Sequence, residues 1–397
     1  MSEKFNEKVV TLSVKHPERR LFDSLVYMPE GTSYNSYLIK GEKYNALVDC
    51  SDPDKEDEFM LNLSEADTAK IDYIILLHAE QDHSGSIHKV MNKYPDAKII
   101  STEKVKQLMQ VHFVLNDSDF VVMKQNEKLD LGGTTLEFYP IPFAHWPDNT
   151  MIHMMPDNIL FSSDLFGSHN TTYLMAEDIT PPLYKSARSY FSEIMMPFRK
   201  NIAKHVKTVR EINPSIIATA HGPVWNSPDK IIDLYDKWTS DDVRPFVTIP
   251  YVSMHNSTRT AVEYFAERLR SNGLEVKVRD LADKPESLMI QTGELIYDIV
   301  DAAGVVFAFP TVLGGPHPVI LYTAMTANAM APKTPVLGMI CSYAWASKAT
   351  DTVNALTGSF KNERMNPLMI KGLPVGEDFK KLEEYADELS NLIFSRS

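Results

Sequence analysis

The densest group of potential metal ligands is the run His78-Ala-Glu80-Gln-Asp82-His83, which places four donor side chains within six residues. It directly follows the apolar residues 71–77, a run of the length of a buried strand. His78 and Glu80 stand two residues apart, so their side chains can point the same way on extended backbone. Adjacent Asp82 and His83 can turn towards a second ion as the chain enters a helix. The motif therefore suits two neighbouring metal ions, although an ordinary solvated turn with Asp82 as the helix cap would use the same residues.

Three further donors also stand at the ends of apolar runs. His145 follows residues 141–144, Asp164 follows 159–163 and His221 follows 216–220. Because strand ends in a layered, strand-rich domain can converge on one edge, these residues can complete the same site. Three other histidines lack a neighbouring group of donors and are predicted to be structural or exposed: His112, His153 and His205.

The elements that must position these residues fall into two parts, which meet near Thr239-Ser-Asp-Asp-Val-Arg-Pro245. We therefore predict domains at 1–244 and 245–397. Upstream, short apolar runs recur with turn signals such as Gly132-Gly133, which indicates a strand-rich domain with a few helices. Downstream, five strands alternate with helices and predict a doubly wound parallel sheet. The predicted strands are 246–252, 275–279, 305–309, 335–340 and 368–370, and the predicted helices are 259–271, 293–302, 320–330, 346–356 and 377–394.

Three loops follow strands of the second domain, at the edge where such sheets bind ligands. The first opens a helix and is rich in hydroxyls, so its N–H groups and side chains can cradle a phosphate, although such helix starts are also common without a ligand. The second is rich in glycine and lets backbone approach a planar ring, and the third can cover a ring face with an aromatic side chain. No Gly-x-Gly-x-x-Gly follows any strand, which argues against a dinucleotide. The loops are Ser253, Met254, His255, Asn256, Ser257 and Thr258; Pro310, Thr311, Val312, Leu313, Gly314 and Gly315; and Ser342, Tyr343, Ala344 and Trp345.

The order His-x-Glu-x-Asp-His, then a separate His, Asp and His, resembles the metallo-β-lactamase-like domain of flavodiiron proteins. The resemblance implies an αββα sandwich with two irons. Three carboxylates and four neutral imidazoles would set −3 against the +4 of two ferrous ions. Zinc hydrolases of this superfamily usually have His where Glu80 stands, and the harder oxygen donor favours iron and redox chemistry, with manganese or a mixed-metal site left open. By this similarity one iron takes His78, Glu80 and His145, the other takes Asp82, His83 and His221, and Asp164 bridges them.

The second half resembles the flavodoxin-like domain that follows the diiron domain in that family, and this implies FMN in the three loops. Many relatives have Asn where Val312 and Leu313 stand and Gly where Ala344 stands. These differences concern hydrogen bonds at the ring edge and the flavin potential and leave the phosphate loop little affected. Tyr190 lies in a stretch similar to one in which the family has a tyrosine near the metals, so it is either a hydrogen-bond donor there or an ordinary core residue.

The resemblance implies reduction of oxygen to water, of nitric oxide to nitrous oxide, or both, as a detoxification. Two electrons from reduced FMN and one from each iron match the four that oxygen needs. The two cysteines, Cys50 and Cys341, cannot form a rubredoxin-type iron centre, so we expect electrons from a separate donor. Rubredoxin and reduced coenzyme F420 are the donors that the family implies. Family members are head-to-tail homodimers or dimers of dimers, which predicts the same assembly here.

Composition limits the other classes of function. The 397 residues contain 40 basic and 53 acidic side chains, a net charge of −13 that argues against binding nucleic acid or anionic membranes. The apolar runs are too short to span a bilayer, and the charged start shows no secretory signal, so we expect a cytoplasmic protein.

Two alternative functions stay open. The first is a dinuclear zinc hydrolase with a regulatory flavodoxin domain, and Glu80 argues against it. The second is a non-enzymatic electron carrier or sensor, and the full ligand set argues against it.

Overall fold

The computed structural model describes residues 3–22, 25–66, 68–172, 174–360 and 363–396. These residues form two compact units, and each has its own hydrophobic core. The first unit comprises Met1–Leu21, Met28–Phe191 and Phe198–Thr239. The second comprises Phe22–Tyr27, Ser192–Pro197 and Ser240–Ser397.

Strands and helices are numbered in chain order. The strands before residue 240 are β1 (Glu3–Lys4), β2 (Val9–Thr11), β3 (Val14–His16), β4 (Leu21–Phe22), β5 (Val26–Tyr27), β6 (Thr32–Tyr34), β7 (Tyr37–Lys40), β8 (Asn45–Val48), β9 (Tyr73–Ile75), β10 (Lys98–Ser101), β11 (Phe120–Val122), β12 (Lys128–Asp130), β13 (Thr135–Pro140), β14 (Thr150–Met155), β15 (Ile159–Ser163), β16 (Met175–Ala176), β17 (Ile216–Thr219) and β18 (Val224–Trp225). The later strands are β19 (Arg244–Tyr251), β20 (Glu275–Asp280), β21 (Ala302–Val312), β22 (Gly315–Pro316), β23 (Val336–Tyr343), β24 (Glu363–Arg364) and β25 (Leu368–Lys371). The helices are α1 (Glu56–Glu65), α2 (Gln81–Ser84), α3 (Ile87–Lys93), α4 (Glu103–His112), α5 (Pro181–Tyr190), α6 (Arg199–Ile212), α7 (Pro228–Thr239), α8 (Ser257–Ser271), α9 (Ser287–Asp298), α10 (Pro318–Ala329), α11 (Ala349–Leu356) and α12 (Glu377–Phe394).

The first unit is built on two mixed sheets, in the orders β1-β2-β7-β8-β9-β10-β11 and β12-β13-β14-β15-β17-β18-β16. Apolar side chains of both sheets meet in one buried cluster, in which Ile75 and Ile100 of the first sheet join Phe138 and Phe161 of the second. This core fixes the two sheets against each other, as expected when strands alternate apolar residues between faces. The strand ends that carry the predicted ligands are therefore attached to a well-packed core.

Helices cover the outer faces of the first unit. On the outside of the first sheet, Phe59 of α1, Val90 of α3 and Met109 of α4 belong to a second apolar cluster. On the side of the second sheet, Tyr235 of α7 packs against Phe166, just beyond β15, with ring centroids 4.7 Å apart. The layers thus follow the order helix, sheet, sheet, helix, and this confirms the predicted αββα class.

The second unit is a parallel sheet in the order β20-β19-β21-β23-β24, with β25 also paired to β23 and β22 forming a small hairpin with β21. Helices α8 and α12 cover one face, where Phe265 and Leu389 belong to one buried cluster. On α9, Asp298 binds Thr248 of β19 at 3.1 Å and Arg279 of β20 at 2.8 Å, which fastens this helix to the sheet. The predicted doubly wound flavodoxin-like sheet is confirmed. Its fifth strand consists of two short strands, β24 and β25, which both pair with β23.

Several predicted element bounds differ from the structure. The strand predicted at 305–309 spans Ala302–Val312, and the helix predicted at 346–356 begins at Ala349. The helix predicted at 293–302 spans Ser287–Asp298, because Ala302 already pairs with Arg244 and begins β21. The strand predicted at 71–77 has ladder pairing only over Tyr73–Ile75. Beyond it, Leu77 N–H donates to the Asp49 side chain at 2.8 Å, so the chain leaves the sheet just before the ligand motif. Within the described residues, no helix is long and apolar enough to cross a membrane.

Candidate functional site

The structure brings all seven predicted metal ligands into one cluster of the first unit. His78 and Glu80 follow β9, His145 follows β13, Asp164 follows β15 and His221 follows β17, while Asp82 and His83 lie in α2. Their donor atoms form three overlapping groups, with the atoms of each group within 4.8 Å of one another. The groups are His78, Glu80 and His145; His78, His83 and Asp164; and Asp82, His83 and His221.

The first triad is centred on the Glu80 carboxylate. Glu80 Oε2 lies 3.1 Å from His78 Nε2 and 3.1 Å from His145 Nε2. Glu80 is also the N-cap residue of α2 and has extended backbone with ψ near 146°, so its side chain leaves the chain before the helix begins. This position excludes Asp82 as the helix cap, because Asp82 lies inside the first turn. Two nitrogens and one oxygen facing one point can hold a single metal ion.

The second triad lies beside the first. His221 Nε2 is 3.3 Å from Asp82 Oδ2, and His83 Nε2 is 3.7 Å from Asp82 Oδ1. The His78 and His83 rings are 5.0 Å apart, centroid to centroid. The two sets of donors are therefore close enough to share a ligand.

Asp164 lies between the two triads, and each of its oxygens faces one of them. Oδ1 is 2.9 Å from His83 Nε2 and 3.4 Å from His221 Nε2. Oδ2 is 3.6 Å from His78 Nε2 and 3.9 Å from His145 Nε2. A carboxylate in this position can join two metal ions, one through each oxygen.

Hydrogen bonds at Nδ1 orient His78, His83 and His221. His78 Nδ1 lies 3.1 Å from Asp148 Oδ2, and His83 Nδ1 lies 3.1 Å from Asp49 Oδ2. His221 Nδ1 donates to the backbone oxygen of Ser33 at 2.8 Å. Acceptors at Nδ1 place the proton there and leave Nε2 free as a metal donor.

Sequence reasoning missed these supporting residues. Asp49 directly follows the apolar strand β8, and Asp148 stands three residues after His145 and just before β14. An Asp next to the end of a strand was the available signal. Their contacts with the histidines join residues 34 and 70 positions apart, which spacing along the sequence does not reveal.

In the cluster, burial and the charges of neighbouring side chains shift the pKa values in opposite directions. Burial alone would lower the pKa of His78, but hydrogen bonds to Asp148 and Glu80 outweigh it and raise that pKa to about 10. Burial would also lower the pKa of His221, but hydrogen bonds to Asp164 and Asp82 outweigh it and raise that pKa to about 9. Burial would raise the pKa of Asp164, yet the positive charge at His83 holds it well below its usual range. Among the described residues, Asp82 Oδ1 is buried without a hydrogen-bond donor. Anionic carboxylates that need positive charge in a buried site fit bound cations.

Tyr190 lies beside the cluster. Its ring centroid is 6.0 Å from that of His221 and 4.8 Å from that of His169, a buried histidine that sequence reasoning did not single out. The Tyr190 hydroxyl is buried and finds no hydrogen-bond partner among the described residues. Burial, then the negative charge of Asp164, raises its pKa. A Cβ at Gly167 would lie 2.8 Å from Tyr190 Cζ, so only glycine permits this close approach.

The three other histidines lie outside the cluster, as predicted. His205 Nε2 bonds the backbone oxygen of Pro142 at 2.9 Å, and His153 Nε2 bonds Asn158 Oδ1 at 2.7 Å. His112 is exposed at the end of α4. None of the three belongs to a group of potential ligands within the described ranges.

The first predicted flavin loop joins β19 to α8 in the second unit. Asn256 has a positive φ of 64° and precedes the first residue of α8, so successive N–H groups turn towards one point. Ser253 Oγ accepts from the backbone N–H of Arg259 at 3.2 Å. Thr258 Oγ1 lies 2.9 Å from Ser342 Oγ, which links this loop to the third one. The geometry fits a phosphate held by backbone and hydroxyl groups.

The other two predicted loops lie at the ends of β21 and β23, the next strands along the sheet. They are shorter than predicted, because residues 310–312 still belong to β21 and residues 342–343 to β23. Leu313 and Gly314 both have positive φ, 49° and 83°, in the hairpin turn between β21 and β22. Three apolar side chains at this edge are exposed: Met254 by 49%, Leu313 by 98% and Trp345 by 83%. Apolar surface around a phosphate cradle fits a planar aromatic ligand such as a flavin.

An αββα domain with two adjoining metal triads, joined to a flavodoxin-like domain, defines a class of metalloflavoproteins. Comparison with known proteins agrees. The family model "ODP family beta lactamase" matches residues 32–222. Coenzyme F420H(2) oxidase of Methanothermobacter marburgensis is 34% identical over 303 residues, 74% of each chain. An anaerobic nitric oxide reductase flavorubredoxin of Salmonella paratyphi A is 32% identical over 333 residues, 82% of this chain and 68% of that one.

Among solved structures, rubredoxin oxygen:oxidoreductase from Desulfovibrio gigas matches with a TM-score of 0.93 over 100% of this chain and 99% of that chain, at 24% identity. The flavodiiron protein of Giardia intestinalis matches with a TM-score of 0.91 over 100% and 97%, at 22% identity. These two likenesses concern the fold. Together with the sequence relatives they give the family: the chain belongs to the flavodiiron proteins.

Proposed function

We propose that this chain reduces oxygen to water, nitric oxide to nitrous oxide, or both, at a non-haem diiron site supplied with electrons through FMN. The observation that carries the proposal is the pair of triads joined by Asp164, with the Glu80 carboxylate in the first triad. The relatives named an F420H(2) oxidase and a nitric oxide reductase flavorubredoxin support this class of reaction. Oxygen takes four electrons and four protons to form two waters; two nitric oxides take two of each to form nitrous oxide and one water.

In this proposal the first iron is held by His78, Glu80 and His145, the second by Asp82, His83 and His221, with Asp164 shared. FMN is held by the loops 253–258, 310–315 and 342–345. The irons supply binding of the gas and single electrons, and FMN supplies electron pairs. The chain contributes neutral imidazoles fixed by Asp148, Asp49 and the Ser33 carbonyl, and a buried Tyr190 hydroxyl beside His221.

The electron donor is a separate molecule in this proposal, either reduced coenzyme F420 or rubredoxin. The relatives named an F420H(2) oxidase and a flavorubredoxin support these two chemistries. We further propose that residues 1–244 form the metal domain and 245–397 the flavin domain. A head-to-tail homodimer or dimer of dimers in the cytoplasm completes the proposal.

The test begins with anaerobically purified protein. Two irons and one FMN per chain are expected, followed by consumption of oxygen, nitric oxide or both at gas electrodes after chemical reduction. Supplying F420H2 and reduced rubredoxin separately then identifies the donor. Zinc in place of iron, with no gas consumption, would contradict the proposal and favour a dinuclear hydrolase.

Replacing the carboxylate of the first triad tests the ligand assignment. Glu80→Ala removes the oxygen that lies 3.1 Å from two histidine nitrogens. Iron content and gas reduction should fall by more than the about 10- to 100-fold that loss of a residue supporting a ligand costs, while FMN stays bound. Glu137→Ala is the matched control, because Glu137 is paired with Lys128 on the surface of the same unit. Unchanged iron content and turnover in Glu80→Ala would exclude the assignment.

A further inference from the structure

Asn149 contacts Asp164 from outside the two triads. Its side chain is 1% exposed, and its Nδ2 lies 2.9 Å from Asp164 Oδ2. A second acceptor, Ser163 Oγ, is farther from Nδ2, at 3.3 Å. The principal hydrogen bond of this amide is therefore the charge-assisted one to the carboxylate.

The orientation of the Asn149 amide is fixed by its other end. Asn149 Oδ1 accepts the backbone N–H of Trp146 at 2.7 Å, and a backbone N–H can only donate. The oxygen of the amide must therefore face Trp146, and the NH2 group must face Asp164. The amide thus also ties the loop of His145, the residue before Trp146, to the carboxylate.

The hydrogen bond reaches only one oxygen of Asp164. Oδ2 is the oxygen that faces His78 and His145, while Oδ1 faces His83 and His221. Among the described residues, no amide or hydroxyl donates to Oδ1. Since a donated hydrogen bond withdraws electron density from its acceptor, Oδ2 has less negative charge to give to a metal ion than Oδ1.

We propose that Asn149 is a positioning residue that makes the two iron sites electronically unequal, by donating to the Asp164 oxygen on the side of His78, Glu80 and His145. The inference rests on the proposed diiron function. The iron on that side receives less charge from the shared carboxylate, so it is the more electron-poor of the two and the stronger Lewis acid. That iron would therefore be the more easily reduced of the two.

Two variants distinguish the electronic effect of Asn149 on Asp164 from a purely structural role in holding the loop of His145. Asn149→Ala removes both contacts. Asn149→Asp keeps an oxygen for the Trp146 N–H but replaces the NH2 donor by a carboxylate oxygen, which adds negative charge beside Oδ2. Asn62→Ala is the matched control, because Asn62 is equally buried in the first unit and donates instead to the Ser13 carbonyl at 3.2 Å.

Mössbauer spectra of protein loaded with 57Fe report each iron separately. We expect two doublets in the unsubstituted protein and in Asn62→Ala, and a shift of one doublet towards the other in both Asn149 variants. Removal of iron by a chelator should become about tenfold faster in the same two variants. The mixed-valent fraction seen by EPR during stepwise reduction should fall, because the two potentials move together.

Several outcomes would overturn the inference. A single doublet in the unsubstituted protein would show equal sites. If the spectra were unchanged in both variants, or changed in Asn149→Ala alone, the Asn149 amide would serve only to hold the loop that contains His145. Equal movement of both doublets would also contradict a one-sided effect. Failure of the unsubstituted protein to bind two irons would instead refute the diiron function itself, so the two failures are distinguishable.

Discussion

At the scale of single residues, the metal cluster depends on side chains that do not reach the metals. Asp148 is fully buried, and its Oδ2 contacts both His78 Nδ1 and the backbone N–H of Ala79, at 3.1 and 2.8 Å. One oxygen thus fixes the ring and the backbone of the same ligand segment. Asp49 uses both of its oxygens: Oδ2 lies 3.1 Å from His83 Nδ1, and Oδ1 accepts from the N–H of Leu77 at 2.8 Å. These contacts fix the orientation of two ligand side chains relative to the backbone of their own segment.

Asp148→Ala should therefore weaken metal binding without removing a ligand. The His78 ring loses the acceptor that fixes its tautomer, so iron affinity is expected to fall about 10- to 100-fold. Competition with a chelator at fixed pH measures this affinity. Asp157→Ala is the control, because Asp157 pairs with Lys8 at 3.0 Å away from the cluster. Equal iron affinity in the two variants would show that Asp148 has no orienting role.

At the scale of elements, the flavin loops depend on the order of the parallel strands. Strands β19, β21 and β23 are neighbours, so the loops that follow them meet at one edge although about 90 residues separate the first from the last. The Thr258–Ser342 hydroxyl pair crosses this edge. Strand order, rather than proximity in the chain, assembles the candidate phosphate cradle.

Replacing Ser253 and Thr258 together by Ala should release FMN and leave the iron content unchanged. Each removed hydroxyl is a hydrogen-bonding group of the loop, and losing bonds to a charged phosphate costs about 1.5–3 kcal/mol each. Flavin fluorescence after ultrafiltration measures the loss. Thr292→Ala is the control, since Thr292 pairs with Thr323 at 3.1 Å inside the same unit. Full flavin retention in the double variant would place the phosphate elsewhere.

At the scale of the whole molecule, two units with separate cores carry two separate chemistries. Within the described residues, the two apolar clusters of the first unit named above contain no residue beyond 239, and the cluster named for the second is drawn from residues 247–393. Ligand binding stabilises the part that binds it by an amount set by ligand concentration and affinity. Each cofactor should therefore increase the thermal stability of the unit that binds it.

Removing iron with a chelator should lower the thermal stability of the first unit alone. Iron present at 100 times its dissociation constant contributes about 2.7 kcal/mol, and this contribution is lost on chelation. Tryptophan fluorescence reports this transition, because the four Trp residues include Trp146, Trp225 and Trp238 of the first unit. The temperature of flavin release should stay the same. A joint downward shift of both transitions would contradict independent protection.

Much of this protein could be predicted from local sequence. His78, Glu80, Asp82 and His83 are close in the chain, and the apolar run before them required a strand exit there. The alternation of strands and helices after residue 245 likewise predicted the parallel sheet, because helix and strand periodicities are local properties. The helix 293–302 was placed too late because its apolar residues continue into β21, and only pairing with Arg244 separates the two elements.

Only the tertiary structure could bring in the residues that tune the site. Asp49, Asp148, Asn149 and His169 stand in stretches without any motif, and each has a partner that is distant in the chain. The separations are 34, 70, 15 and 137 positions, to His83, His78, Asp164 and Thr32. Sequence determined which donors are available and in which order they occur. Folding decided which oxygen faces which nitrogen, because those contacts depend on the packing of the two sheets against each other, and no spacing along a single chain encodes that packing directly.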